Sequence, residues 1–274
     1  MSVTITAADI NKLRQTTGAG MLDCRKALTE SNGDFEAAID WLRKQGQKVA
    51  AKRSDREAKE GVVIAQTTAD NKSGIVLCIS CETDFVSKNA DFVAFAQSIA
   101  DAAIANNVKT AEELNGVAVK GSTVAELIND KLAAIGEKIA VSKFERIDAP
   151  YVASYIHGAN RMGVLVAMTK EAAEAGKDVA MQIAAMNPLA VDESSISPET
   201  IAREKEIAIE QIKAEGKPAE MAEKIAMGKV NKFFKENTLL AQAFVKDNSK
   251  SVADYLKSVD AELKVTDFKR VALG

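Results

Sequence analysis

The sequence predicts an α+β protein. A small N-terminal domain of three helices comes first. It is followed by a core of two related subdomains, each a strand hairpin and a helix, with a helical hairpin inserted in the second. Three observations carry this reading. The first 46 residues place apolar side chains at helical spacing. Two later stretches, "GVVIAQTTADNKSGIVLCIS" and "YVASYIHGANRMGVLVAM", each read as two apolar strands around a polar turn, and each precedes a helical run. Residues 198–235 form a further helical block with a strong start signal. The chain of 274 residues has room for two or three compact units, and 47% hydrophobic residues supply their cores. Aromatics are only 5% while alanine, lysine and glutamate abound, which favours helix over sheet.

The elements follow in order. Thr6 and Asp9 stand at capping-box spacing before a first helix marked by Ile10 and Leu13. A second helix runs from about Met21 to Ser31 and ends at "NGD". In the third, Phe35, Ala38, Ile39 and Leu42 form one apolar stripe, with Asp34 as N-cap and Gly46 as a stop signal. This gives a helical domain over residues 1–46. Residues 47–60, almost all charged or alanine, read as a solvated linker, with helix left open for it. The core subdomains then occupy 61–148 and 149–274, the second including the helical hairpin at 198–235. That hairpin starts at Ser197, Pro198 and Glu199 and breaks at "GKP". Its apolar stripes (Ile201, Ala208 and Ile212; Ala222, Ile225 and Phe233) are narrow, as suits two helices that mostly bury each other.

The two core stretches align as a repeat. Gly74 matches Gly163 along the second strands, and Ile99 matches Ile183 along the helices. The first copy carries extra residues between strand and helix, where "TDFVSKN" lies; the second makes the same join with "KEAAEAGKD". A segment that the architecture does not need is where function is usually found. Phe85 and Val86 therefore have two readings, an exposed functional pair or a hydrophobic staple folded back on the helix end. The residues alone leave both open.

The chemistry visible in the chain is that of binding rather than catalysis. A net charge of −3 argues against a general nucleic-acid binder. No apolar run approaches the roughly 18–20 residues that span a bilayer, and the start lacks a signal-peptide layout. A soluble, cytoplasmic protein is expected. Cys24, Cys78 and Cys81 are too few for a disulfide framework. Cys78 and Cys81 form a C-x-x-C, but in a predicted strand their side chains point to opposite faces, whereas a redox pair normally opens a helix. A zinc site would need two more ligands from a chain with one histidine and one other cysteine. His157 precedes a tight turn near Ser154, without a nucleophile elbow or a third triad member. "TGAGM", at 17–21, lacks the third glycine of a dinucleotide site and the Gly-Lys-Ser/Thr of a P-loop, and reads as a turn between helices. No catalytic residue, metal or cofactor is assigned.

Taken in order, "LRQTTGAGMLDCRKALTESNGDFEAAIDWLRKQG", "CETDFVSKN", "YIHGANRMGVLVAM", "MQIAAMNP" and "GKVNKFF" resemble the bacterial elongation factor Ts family, from residue 4 to about residue 271. The resemblance implies a ubiquitin-associated-like N-terminal domain, no enzymatic activity, and guanine nucleotide exchange on the GTPase elongation factor Tu. It implies that Thr83, Asp84, Phe85 and Val86 enter the partner near its switch helices, where the aromatic disturbs the groups holding Mg²⁺. It also makes Gly18, Gly20, Met21 and His157 secondary contacts. It implies no direct contact with nucleic acid or membrane, and it leaves a homodimer or a 2:2 complex open. The chain stops at "DFKRVALG", where some family members continue into a further helical module. Two other classes stand beside this one. The first is an adaptor that tethers a partner through its helical domain without altering nucleotide affinity; the second is an oxidoreductase using Cys78 and Cys81.

Overall fold

A computed structural model describes residues 4–53, 55–214 and 219–274. Two compact units emerge from its contacts. One comprises the chain to Ile64, Ile75–Glu145 and Val271–Gly274; the other comprises Ala65–Gly74 and Arg146–Arg270.

The first unit opens with three helices, α1 (Ala7–Thr17), α2 (Met21–Glu30) and α3 (Phe35–Arg53). The Thr6–Asp9 capping box forms: Thr6 Oγ1 accepts the Asp9 N–H at 3.2 Å, and Asp9 accepts the Thr6 N–H at 3.0 Å. Asp34 caps α3 by accepting the Ala37 N–H at 2.9 Å. Leu13, Cys24, Ala27, Leu28, Ala38 and Leu42 close a small buried core. The chain continues through β1 (Glu60–Thr67), β2 (Ser73–Cys81), α4 (Asp84–Ser87), α5 (Ala90–Ala105) and α6 (Ala111–Gly116). A short ribbon of β3 (Ala118–Val119) and β4 (Ser122–Thr123) leads into α7 (Val124–Ile135) and β5 (Ala140–Asp148). The sheet runs β1-β2-β5, and the apolar faces of β2, α5 and α7 share one core around Leu77, Phe92, Ile99 and Leu132.

One sequence expectation is corrected here. Gly46 does not stop α3, which runs on to Arg53 and so takes up much of the stretch read as linker. A Cβ built on Gly46 would stand 2.7 Å from the Ala133 Cβ on α7. The residue is small because another helix passes against it, not because the helix ends there.

The second unit carries β6 (Tyr151–His157) and β7 (Met162–Met168), antiparallel from Tyr151↔Met168 to His157↔Met162. Next come α8 (Ala173–Met186), a 3₁₀ turn at Glu193–Ser195, α9 (Pro198–Ala214) and α10 (Ala219–Asn237). The chain ends with β8 (Ala243–Phe244), β9 (Asp247–Ser251), α11 (Val252–Val259) and β10 (Val265–Ala272). The sheet order is β10-β7-β6. The repeat is therefore visible in topology: in each sheet a third strand returns after the helices to lie beside the second strand of the hairpin. Ser197 starts α9 as expected, accepting the Thr200 N–H at 3.2 Å. The helices α9 and α10 form a separate cluster around Ala208, Ile212 and Ala226. The break expected at 216–218 and the Ala222 side chain lie outside the described residues.

Where α9 and α10 join the unit, the incoming and outgoing chains are laced together. The Leu189 N–H donates to Asn237 O, Leu239 N–H to Ala190 O and Leu240 N–H to Val191 O, all at 2.8–3.0 Å. Beneath them Gln182 is fully buried; its amide donates to Gln242 Oε1 and Ala243 O and accepts the Val245 N–H at 2.8 Å.

Candidate functional site

The two copies of the repeat differ where strand meets helix. Between β7 and α8 the join is only 169–172, because α8 already begins inside "KEAAEAGKD". Between β2 and α5 lie residues 82–89, and they fold into α4, "DFVS". A helix of one turn has little stability of its own, so its position depends on what holds its ends.

Downstream, Asn89 caps α5 by accepting the Asp91 and Phe92 N–H groups. Upstream, two carboxylates each bind backbone N–H groups of the other's segment. Glu137 Oε2 accepts the N–H groups of Glu82 and Thr83, each at 3.0 Å, and its Oε1 accepts the Thr83 hydroxyl at 2.7 Å. In return Glu82 Oε1 accepts the Lys138 N–H at 2.6 Å. The same Glu82 carboxylate takes Arg53 at 2.7 Å and Arg56 at 3.1 Å. Burial raises the Glu82 carboxyl, but the Lys138 N–H and the two guanidiniums outweigh it and hold the group down to about 2. Thr83, although it precedes α4, makes no side-chain cap to it, since its hydroxyl is spent on Glu137.

This arrangement splits the apolar pair that the sequence left open. Val86 turns inward and packs on the core of the first unit. Phe85 turns outward and is 86% exposed. The staple reading fails for Phe85 and holds for Val86. Asp84 and Lys88 pair across the turn at 2.7 Å, and that hydrogen bond and charge lower the Asp84 carboxyl.

Of the other expected residues, Gly18 ends α1 in the left-handed conformation, φ 71°, and donates to Arg14 O at 2.8 Å. Gly20 stands as N-cap of α2. Gly18, Phe85 and Val86 line one groove of about 1030 Å³, walled also by Trp41, Phe95 and Lys131. Met21 is half-exposed at the start of α2, and its neighbour Leu22, which the sequence reading passed over, is 81% exposed. Helical phase could have found Leu22: Cys24, Ala27 and Leu28 mark the buried face, and Leu22 lies off it with Arg25 and Thr29. His157 belongs to the second unit. It ends β6, exposed, with Nδ1 3.0 Å from the Tyr155 hydroxyl. The turn after it places Gly158, Ala159 and Asn160 in the left-handed region.

The cysteines do not suit redox chemistry. Burial, then Glu137 and Glu60, push the Cys81 thiol up to about 12, and burial raises Cys78 as well. Among the described residues no group of three or more potential metal ligands is found, and no helix is long and apolar enough to cross a membrane.

The site is thus an outward aromatic on a pinned one-turn helix, with exposed apolar side chains at the start of α2 in the same unit. The family model for elongation factor Ts matches residues 82–274. Among curated relatives, the elongation factor Ts of Christiangramia forsetii is 51% identical over 273 residues, covering 98% of this chain and 99% of its own. Those of Flavobacterium psychrophilum (52% over 274 residues; 99% of both chains) and Clostridium perfringens (44% over 282 residues; 98% of this chain, 93% of its own) run over nearly the same length. From the first helix of the N-terminal module to the last strand, the chain belongs to the elongation factor Ts family.

Proposed function

We infer that the chain is a translation elongation factor, the guanine nucleotide exchange factor of elongation factor Tu, and that Phe85 is the side chain through which it acts. The carrying observation is the exposed ring on a segment that the second copy of the repeat does without. Thr83, Asp84, Phe85 and Val86 form the segment that displaces the partner's Mg²⁺ supports, with the Phe85 ring as the side chain it presents. In a P-loop GTPase the metal bridges the nucleotide phosphates and is held by few protein groups, so disturbing their supports weakens nucleotide binding strongly. Burying a phenylalanine supplies about 2–3 kcal/mol toward the nucleotide-poor state. Linkage makes the effect reciprocal: the factor weakens GDP binding, and GDP or GTP weakens the factor's binding equally. No bond in the nucleotide is made or broken.

The N-terminal helices, read as a ubiquitin-associated-like domain over 1–46 with 47–60 as its connector, offer Gly18, Gly20 and Met21 to the partner, with exposed Leu22 beside them. His157 offers a further contact from the second unit. The test is release of a fluorescent GDP analogue from elongation factor Tu. Wild type accelerates release, and Phe85→Ala at saturation does so far less. Binding without acceleration would instead make the chain a tethering adaptor.

A further inference from the structure

We propose that Glu137 is a positioning residue for exchange: by clamping the backbone entering α4, it fixes where Phe85 is presented. This rests on the reading of Phe85 as the acting side chain. Three observations converge on it. First, α4 is a single turn whose preceding Thr83 makes no side-chain cap to it, so the helix cannot hold its own place. Second, both N–H groups of 82–83 and the Thr83 hydroxyl, the donors at the entry to α4, are taken by one carboxylate, that of Glu137. A charge-assisted bond is stronger than its neutral counterpart, and three share one acceptor group here. Third, the clamp is mutual. Glu82 returns the bond to the Lys138 N–H and also gathers Arg53 and Arg56, while the Lys138 ammonium donates to Arg56 O at 2.9 Å. The end of α3, the entry to α4 and the entry to β5 thereby form one rigid knot.

A residue that acts in this way contributes nothing to the partner contact itself. Its loss lets the ring arrive in the wrong place, and misplacement of about an ångström can cost up to ~100-fold in rate.

The experiment is single-turnover release of the fluorescent GDP analogue from elongation factor Tu, titrated to saturation with Glu137→Ala, Glu137→Gln, Phe85→Ala and the double variant Glu137→Ala/Phe85→Ala. Glu137→Ala is expected to lower the maximal rate at least about tenfold while shifting the half-saturating concentration less than about threefold. Glu137→Gln, which keeps one carbonyl acceptor, falls between it and wild type. The double variant matches Phe85→Ala, because the two residues act through one ring. A Glu137→Ala maximal rate within about twofold of wild type overturns the inference, and so do losses that multiply in the double variant. Should Glu137→Ala not fold, Glu137→Leu, close in volume and without an acceptor, takes its place in the same titration, and a maximal rate within about twofold of wild type overturns the inference. If Phe85→Ala releases GDP as fast as wild type, the underlying reading fails; if it is slow while Glu137→Ala is fast, only the clamp fails.

Discussion

Replacing Gly46 with alanine separates two accounts of that residue by the sign of a stability change. In an exposed helix interior the exchange gains about 1 kcal/mol, because alanine has the higher helix propensity. In α3 the new carbon would stand 2.7 Å from the Ala133 Cβ and 3.5 Å from Asn129 O. Two methyl carbons rest at about 3.5–4.0 Å, so α3 and α7 must part locally by nearly 1 Å. Forcing a methyl into a packed interface costs about 1–3 kcal/mol. Propensity offsets part of this, and the net expectation is a loss of about 1 kcal/mol. The chain's single tryptophan, Trp41, lies on α3, so its fluorescence during urea unfolding reports this region. Adding Ala133→Gly removes the opposing methyl and should recover the loss beyond additivity, with a coupling of about 1–2 kcal/mol. A higher midpoint for Gly46→Ala alone would refute the packing account and leave Gly46 as an unobstructed position inside α3.

Neighbouring substitutions in α4 should have opposite effects on the free protein. Phe85→Ala leaves the urea midpoint within the scatter of surface changes, about ±0.5 kcal/mol, yet removes most acceleration of GDP release; Val86→Ala lowers the midpoint by about 1 kcal/mol or more. Because the folded Glu82 carboxyl sits near 2 against an ordinary value of 4.5, its contribution is complete above 4.5 and is lost as pH falls from there toward 2. Acid titration of the unfolding midpoint should show that slope in wild type and a shallower one in Glu82→Gln. Gln182→Ala strands the Oε1 of buried Gln242, which loses its Gln182 donor, and should cost about 1–3 kcal/mol in denaturant melts.

Elements announced by local chemistry were legible in the sequence. The Thr6–Asp9 box, the Asp34 and Ser197 caps and the hairpin turn after His157 are all set within a few residues, and all appear where expected. The repeat was legible because both copies keep the same strand-turn-strand apolar pattern. The region 106–148 went unassigned because its elements are short or amphipathic, although Thr123 and Glu126 do announce α7 with a capping box. What local reading could not reach was long-range packing. The partner of Gly46 is Ala133, and the partner of Glu82 and Thr83 is Glu137, more than fifty residues away. The site shows the same division. Its extra segment was visible as a mismatch between repeats, but the opposite directions of Phe85 and Val86 follow from the clamp and from core packing.

The lacing of 189–191 with 237–240 brings the two ends of the α9–α10 arm side by side, before α9 begins and as α10 ends. An insertion whose ends meet behaves as a cassette. It can be shortened by whole turns, exchanged for another arm or replaced by a brief loop without unpicking the β10-β7-β6 sheet. The arm is therefore free to diverge at its own pace, while the sheet that carries His157 is bound to keep its register.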